Sequence, residues 1–473
     1  MTGHGTGAYD RKAVHWDLTH PHGPPGLPAT MERIVSDKHA AQAQVPWQEL
    51  RDRVHAIKQY AIANLDWLLV EFEKQFAARG GTVLWARTAD EGAALFLDIC
   101  RRHGVRSVVK GKSMLSEELE LNERLGDAGI EAVETDLGEY IVQLAGQKPS
   151  HIIAPALHLS RQDVGKLFAA KLGIEYTDDP QALLSAARVR LRRKYLEAGL
   201  GMTGVNFAVA ETGTVVTVEN EGNQALSASA PPVYVALMGI EKVIPRLADL
   251  PPFLHVLARA ATGQKLSVYT HHFLGPEDGR TWYCIIIDAG RTQVLADKAT
   301  RESLYCIRCG ACMNVCPIYR RVGGWAYGWV YPGPIGSIET PQMLGVDKAG
   351  ELPFASSLCG ACQEECPVNI DLPHQLAHMR NKAIQAKAAG SGAERAAFAL
   401  WAGAMGSQRA YERATRAARF GAGIFAKVGW KPGPLAAWAR HREIPPLAPE
   451  TFKEWWSRRQ TLPMSSSGGA ETR

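Results

Sequence analysis

Seven of the nine cysteines in this 473-residue chain fall in two short runs. The first reads Cys306-Ile-Arg-Cys309-Gly-Ala-Cys312-Met-Asn-Val-Cys316-Pro317, and the second Cys359-Gly-Ala-Cys362-Gln-Glu-Glu-Cys366-Pro367. In a large intracellular chain, clustered cysteines mean metal or redox chemistry more often than disulfides. The first run has the spacing C-x2-C-x2-C-x3-C-P, which holds an iron–sulfur cluster. A cubane needs thiolates converging on several of its corners. Two-residue gaps let a tight loop wrap the cluster and aim its amides at the sulfides. Gly310 gives that loop a backbone conformation a larger residue resists. Pro317 turns the chain away and sends the fourth thiolate elsewhere.

With the two Cys-Pro ends in register, Cys366 matches Cys316, Cys362 matches Cys312 and Cys359 matches Cys309, while Ser356 takes the place of Cys306. In two-cluster ferredoxins the last cysteine of each run ligates the other cluster. Applied here, cluster 1 takes Cys306, Cys309, Cys312 and Cys366. Cluster 2 takes Cys316, Cys359 and Cys362 and is one thiolate short. The expected cofactors are two iron–sulfur clusters of the [4Fe-4S] type. The fourth iron of cluster 2 is left to Ser356, water, another side chain or a partner's ligand, or it is absent and the cluster is [3Fe-4S]. Zinc also favours paired cysteines, but it takes four ligands in two separated pairs, a poor match to these runs. Cys100 and Cys284 stand in the apolar stretches LFLDIC and WYCIII and read as core residues.

The elements that must position these thiols are readable in outline. Hydrophobic residues make up 46% and charged residues 21%, ordinary globular usage that excludes a disordered or low-complexity chain. The length suggests two to four domains. A net charge of +5 is too small to argue for nucleic acid. No stretch reaches 18 apolar residues, so no membrane span is expected. The N-terminus has no apolar core of the secretory kind. A cytoplasmic protein is expected, with membrane contact at most peripheral.

Residues 1–45 read as an arm, loose over its first 30 residues and carrying His4, His15, His20 and His22 at irregular spacing. A long helix is predicted over 46–79 from an apolar stripe running from Trp47 to Phe76. Strands and helices then alternate: strands at 82–86, 106–110, 130–135 and 151–155, helices at 90–104, 116–128, 161–172 and 180–199. That alternation implies βαβ units and a mostly parallel sheet. Five more strand-like segments between 205 and 290 complete one α/β domain over 46–295. Four stretches place polar residues or glycine at strand ends, where open α/β sheets bind ligands: Lys110–Ser113, Glu134–Glu139, Glu211–Thr214 and Thr270–His272. None is a phosphate loop or a dinucleotide fingerprint, and ordinary turns explain each as well. The Cys-rich stretch lies in 296–390. Its link GGWAYGWVYPGPIGS reads as a shield over a cluster, a partner surface or an irregular loop. From 391 the chain is helical and basic: over 375–473 it carries 16 Lys+Arg against 6 Asp+Glu. Arg409, Arg413, Arg416 and Arg419 share a helix face that suits an acidic partner, a membrane surface or plain solvent. Trp401, Trp430, Trp438, Trp455 and Trp456 read as packing anchors, and the final MSSSGGAETR as disordered.

Taken with the two Cys runs, the segments KGKSMLSEELELN (110–122), ETDLGEYIVQLAG (134–146) and ETGTVVTVENEGN (211–223) resemble the lactate-utilisation protein B family over about residues 40–460. The second run has three cysteines in that family too. The resemblance implies a LUD-type α/β domain of the kind seen in ribose-5-phosphate isomerase and CoA-transferase relatives. An α-helical ferredoxin-type iron–sulfur module and a helical C-terminal region follow. It implies a subunit of an iron–sulfur complex that oxidises L-lactate to pyruvate. The implied partners are a cysteine-rich iron–sulfur repeat protein and a second LUD-domain protein. Motif by motif it carries the ligand role to Cys306, Cys309, Cys312, Cys316, Cys359, Cys362 and Cys366. It places no catalytic residue and names no electron acceptor.

The leading expectation is an electron relay, since lactate oxidation releases two electrons and adjacent clusters take them singly. Two other classes stay open: an isomerase or acyl/CoA transferase in the α/β domain, for which fold analogy is weak support, and an iron–sulfur redox-sensing scaffold.

Overall fold

A computed structural model describes residues 27–277, 279–428, 448 and 450–460. The chain divides into two compact units, one up to Ala389 and one from Gly390.

The first unit is built on a six-stranded parallel sheet in the order β1-β10-β7-β4-β2-β3. Its strands are β1 (Thr82–Ala86), β2 (Ser107–Lys110), β3 (Glu131–Glu134), β4 (Leu200–Gly204), β7 (Val233–Gly239) and β10 (Thr281–Ile287). β7, Val-Tyr-Val-Ala-Leu-Met-Gly, is buried along its whole length, as a central parallel strand covered on both faces must be. Alternate residues serve different cores. Val233, Val235 and Leu237 pack with Phe96 and Leu119, whereas Tyr234, Ala236 and Met238 face a larger core on the other side. Connecting helices start on side-chain caps: Thr88 accepts from the Glu91 amide and Asp136 from the Glu139 amide.

A smaller sheet, β8-β5-β6-β9, stands beside the first. It consists of β5 (Phe207–Val209), β6 (Thr214–Glu219), β8 (Val243–Ile244) and β9 (Tyr269–Phe273). The larger core runs without a break from this sheet, through Phe72 and Phe76, into Leu304, Met313, Ile338, Leu352 and Leu376 of the Cys-rich region. The α/β part and the Cys-rich part therefore share one interior. Cys284 is fully buried in it and Cys100 in the core on the other face of the sheet.

The structure departs from the sequence pattern at several points. Part of the expected arm is a helix, Leu27–Gln42, docked by the buried Lys38 on Glu365 at 2.8 Å. The long helix is two, Trp47–Ala63 and Leu65–Ala78, because Asn64 leaves helical backbone (φ −128°). The 116–128 helix is also two, broken by Glu120 in the left-handed region at φ 49°. The segment 151–155 is not a strand. The His151 Nδ1 accepts from the amides of Ile153 and Ala154 (3.1 and 3.2 Å), and Pro155 has no amide to give, so the donors a strand neighbour would use are gone. His4, His15, His20, His22, Trp430, Trp438 and the final MSSSGGAETR lie outside the described residues.

In the second unit, helices Gly392–Met405, Gln408–Val428 and Phe452–Gln460 are described. Trp401, Phe398 and Leu400 are exposed rather than packed; Trp456 is half exposed but stacks on Phe452 with Trp455 beside it. No described helix is long and apolar enough to cross a membrane.

Candidate metal centre

The two Cys runs fold alike. In the first, Arg308 and Gly310 both have positive φ, 61° and 73°. In the second, Leu358 and Gly360 repeat this at 55° and 89°. Each glycine starts a short helix, Ala311–Val315 and Ala361–Glu364. The shared conformation turns backbone N–H groups inward. The Arg308 amide donates to Cys306 Sγ at 3.4 Å. At the matching place, the Leu358 amide donates to Ser356 Oγ at 3.1 Å.

Cys306, Cys309, Cys312 and Cys366 line one small cavity, closed by Ile152, Ile307, Ile335, Val368, Ile370 and Leu372. The Ile370 amide donates to Cys366 Sγ at 3.5 Å. Pro317 opens the helix Pro317–Val322, a position that needs no amide, and Cys316 lies outside this cavity. It lies instead near Cys359 and Cys362, close enough for their charges to interact. The two groups adjoin: the helix Ala311–Val315, which carries Cys312, packs against the helix Ala361–Glu364, which carries Cys362.

These residues fit an iron–sulfur core. Burial pushes all four thiols of the closed cavity up, and for Cys309 and Cys312 neighbouring thiolates push further. A cationic core would make four buried thiolates favourable there. Among the described residues, no three His, Cys, Asp or Glu side chains converge as ligands of a single ion. The thiols surround a space instead. Cys359 is exposed, and a hydrogen bond from Ser357 holds its thiol below the usual value.

Helices before the sheet brace the second run. Arg51 donates to the carbonyls of Cys366 (2.9 Å) and Gln363 (3.0 Å) and to Asn369 Oδ1 (3.1 Å). The His55 ring meets the Val368 carbonyl at 2.8 Å. The aromatic link is largely interior: Tyr327 and Tyr331 are buried. The Trp325 indole donates to the Lys148 carbonyl at 2.9 Å.

A second, larger cavity of about 300 Å³ opens at the carboxyl ends of β4 and β7. Gly204, Val205, Leu237 and Gly239 form its floor, and Ile307, Arg308 and Cys309 form a wall. That wall also borders the four-thiol cavity, so the two spaces share Ile152, Ile307, Arg308 and Cys309. Beside it lies a buried charge network. Arg291 donates to Glu241 (2.7 Å) and with two nitrogens to Glu118 (2.7 and 3.1 Å). Arg308 pairs with Glu339 and lies 4.2 Å from the centre of the Tyr331 ring; the Tyr331 hydroxyl donates to Glu118.

Of the four polar stretches at strand ends, two reach this cavity, through Lys112, Ser113 and Asp136. Lys110 is buried and spent on Glu134 (2.5 Å) and Asn122 (2.6 Å). Glu211 accepts the Leu247 amide at 3.0 Å, and Gly213 packs on the backbone of Phe76. His271 bonds Glu219 at 2.7 Å. The sequence reading did not pick out Arg51, Arg291, Glu118, Glu241, Lys242 or Arg308. Of these, Arg308 stands inside the first Cys run and Glu118 inside the segment 110–122; the others carry no local signal.

Three families match in chain order: LUD domain over residues 69–288, 4Fe-4S dicluster domain over 302–370, and Lactate utilisation protein B, C-terminal, over 374–461. Proteins named Lactate utilization protein B align along most of their length. The one from Bacillus cytotoxicus is 39% identical over 421 residues, covering 87% of this chain and 88% of the relative. That from Oceanobacillus iheyensis is 40% identical over 428 residues, with the same shares. Among solved structures, a DUF162 family protein from Deinococcus radiodurans covers 47% of this chain and 98% of its own at 12% identity, with a TM-score of 0.28; that likeness is too slight to argue from. The dicluster match falls on the two Cys runs that border the four-thiol cavity, and the relatives align over 87% of this chain at about 40% identity: the chain belongs to the lactate utilisation protein B family.

Proposed function

We propose that this chain is the iron–sulfur electron-transfer subunit of a cytoplasmic complex that oxidises L-lactate to pyruvate. The observation that carries the reading is the adjoining of the two thiol groups, inside a chain whose relatives are named for lactate utilization. Cys306, Cys309, Cys312 and Cys366 would hold one cluster, and Cys316, Cys359 and Cys362 the other. Bound clusters supply one-electron acceptance and donation, so two of them match a two-electron oxidation. The chain's own residues set the environment. Amides of Arg308 and Ile370 point at cysteine sulfur, and apolar side chains line the four-thiol cavity, two of the levers that set potential. The parallel sheet with its second sheet is inferred to be of the ribose-5-phosphate isomerase and CoA-transferase kind. The partners would be a cysteine-rich iron–sulfur repeat protein and a second LUD-domain protein, with the electron acceptor left open.

The test is iron and sulfide content with electron paramagnetic resonance on anaerobically purified chain, then reconstitution with the partners. About eight irons per chain with two interacting reduced clusters, or about seven with a three-iron signal, supports the relay. Zinc without iron overturns it.

The matching N–H bonds to Cys306 and Ser356 support Ser356 as the residue at the open corner of the proposed second cluster. Ser356→Cys is therefore expected to raise iron from about seven to about eight per chain and to remove any three-iron signal of the isolated protein. If iron content and spectrum stay as they were, the fourth ligand comes from elsewhere.

A further inference from the structure

The cavity at the carboxyl ends of β4 and β7 has no place in the relay as described, yet it touches the wall of the four-thiol cavity. Two charged groups line it. One, around Lys112, Asp136, Glu219 and Glu221, is mixed in sign. Lys112 donates to the Ile153 carbonyl at 3.0 Å, and Glu219 accepts the Gln224 and Ala225 amides. The other group lies beside Cys309 and contains Lys242, Arg308, Arg291 and Glu241. Glu118, Glu241 and Glu339 face Arg291, Arg308 and Lys242; the buried Lys58, whose pKa burial holds down to about 7, donates to the Glu241 carbonyl.

Within that group the ammonium of Lys242 is the uncommitted cation. Its nearest carboxylate oxygen, Glu241 Oε1, is 3.9 Å away, beyond hydrogen-bond reach. Three N–H donors therefore face the cavity without a hydrogen-bond acceptor among the described residues. Gln224, also in the lining and 7% exposed, has a buried Oε1 with no hydrogen-bond partner among the described residues. A cavity of this size lies at the lower end of the range of small-molecule sites, and its lining is rich in polar groups. Its position beyond the carboxyl ends of parallel strands is where open α/β sheets bind ligands.

We propose that this cavity binds a small 2-hydroxycarboxylate, with the carboxylate on Lys242 and the rest of the molecule against the Ile307–Cys309 wall. The site and its cation are argued from the cavity alone; the choice of a 2-hydroxycarboxylate among small anions rests on the relay reading. The Ile307–Cys309 segment then separates the bound acid from a cluster by the thickness of one chain.

The experiment uses the full chain, purified anaerobically with its iron in place. L-lactate and, separately, inorganic phosphate are titrated by calorimetry, and the reduced-cluster resonance is recorded with and without L-lactate. L-lactate is expected to bind and to alter the resonance. Lys242→Gln is expected to weaken binding about tenfold or more, and Lys242→Arg to keep most of it, with iron content unchanged in both. Four results overturn the proposal: no L-lactate binding, equal affinity in Lys242→Gln, phosphate binding in place of lactate, or a resonance shift in Lys242→Gln without ligand while affinity is unchanged. The last would make Lys242 a cluster neighbour only. Failure here with iron and partner-driven reduction intact leaves the relay reading standing. Loss of that reading shows instead as a chain without iron, and the Lys242 titrations still decide the site.

Discussion

Cys309→Ser is expected to cost the chain roughly half its iron and to cut lactate-dependent electron flow through the reconstituted complex by more than about tenfold. Three features single out this thiol. It lines the closed cavity together with Cys306, Cys312 and Cys366. It is 7% exposed, so water cannot readily replace the lost sulfur. It also borders the larger cavity, so the cluster it would hold is the one nearest any molecule bound there. Serine is nearly isosteric, but its hydroxyl is far less acidic than a thiol and harder as a ligand, so a buried iron corner is left poorly served. Cys284→Ser is the matched control. That residue is equally buried in β10 and far from any other cysteine in sequence, so its variant should lose stability and keep its iron. If purified Cys309→Ser retains full iron and full activity, the ligand assignment is wrong.

How much was legible in the sequence depends on the range over which the signal acts. The Cys runs are local, and their spacing alone pairs Cys366 with Cys306, Cys309 and Cys312; in the structure these four line one cavity. The alternation of strands and helices is also local, and β1, β2, β3, β7 and β10 lie where apolar, β-branched segments were read. Misreadings came where a side chain overrode a local pattern. His151 captures two amides and converts an apparent strand into a turn. Asn64 and Glu120 break stripes whose periodicity continues through them. Lys38 docks part of an apparent arm on a carboxylate 327 positions away. The charge network was illegible for a different reason. Glu118, Glu241 and Arg291 sit in three separate segments, each ordinary as an exposed residue, and only the fold makes them partners. The larger cavity is likewise assembled from strand ends, with Lys242 arriving from the turn after β7.

The second large effect belongs to that network. Arg291→Met is expected to destabilise the first unit by about 3–5 kcal/mol at neutral pH. Arg291 is 2% exposed and its guanidinium makes four hydrogen bonds, to Glu241, twice to Glu118, and to the Asp288 carbonyl. Methionine fills much of the volume but leaves two buried carboxylates facing each other without their cation. The acid side of the stability profile separates this cause from simple packing loss. Burial pushes the Glu241 carboxyl up, but Arg291, with Lys242 and Arg308, more than offsets that and holds it at about 2, below the ordinary 4.5. A carboxylate held low in the folded state contributes stability that is complete above the unfolded value, near 4.5, and is lost as pH falls toward 2. The wild-type chain loses that contribution between those limits. In Arg291→Met, Glu241 is free to protonate without losing a partner, so the gap between variant and wild type should narrow from pH 6 to pH 3. Arg291→Lys should recover only part of the loss, because an ammonium cannot bridge Glu118 with two nitrogens and reach Glu241 as well. Denaturant unfolding of the full chain at several pH values measures the gap. A difference below about 1 kcal/mol, or one that stays constant down to pH 3, would show that the two carboxylates do not depend on Arg291.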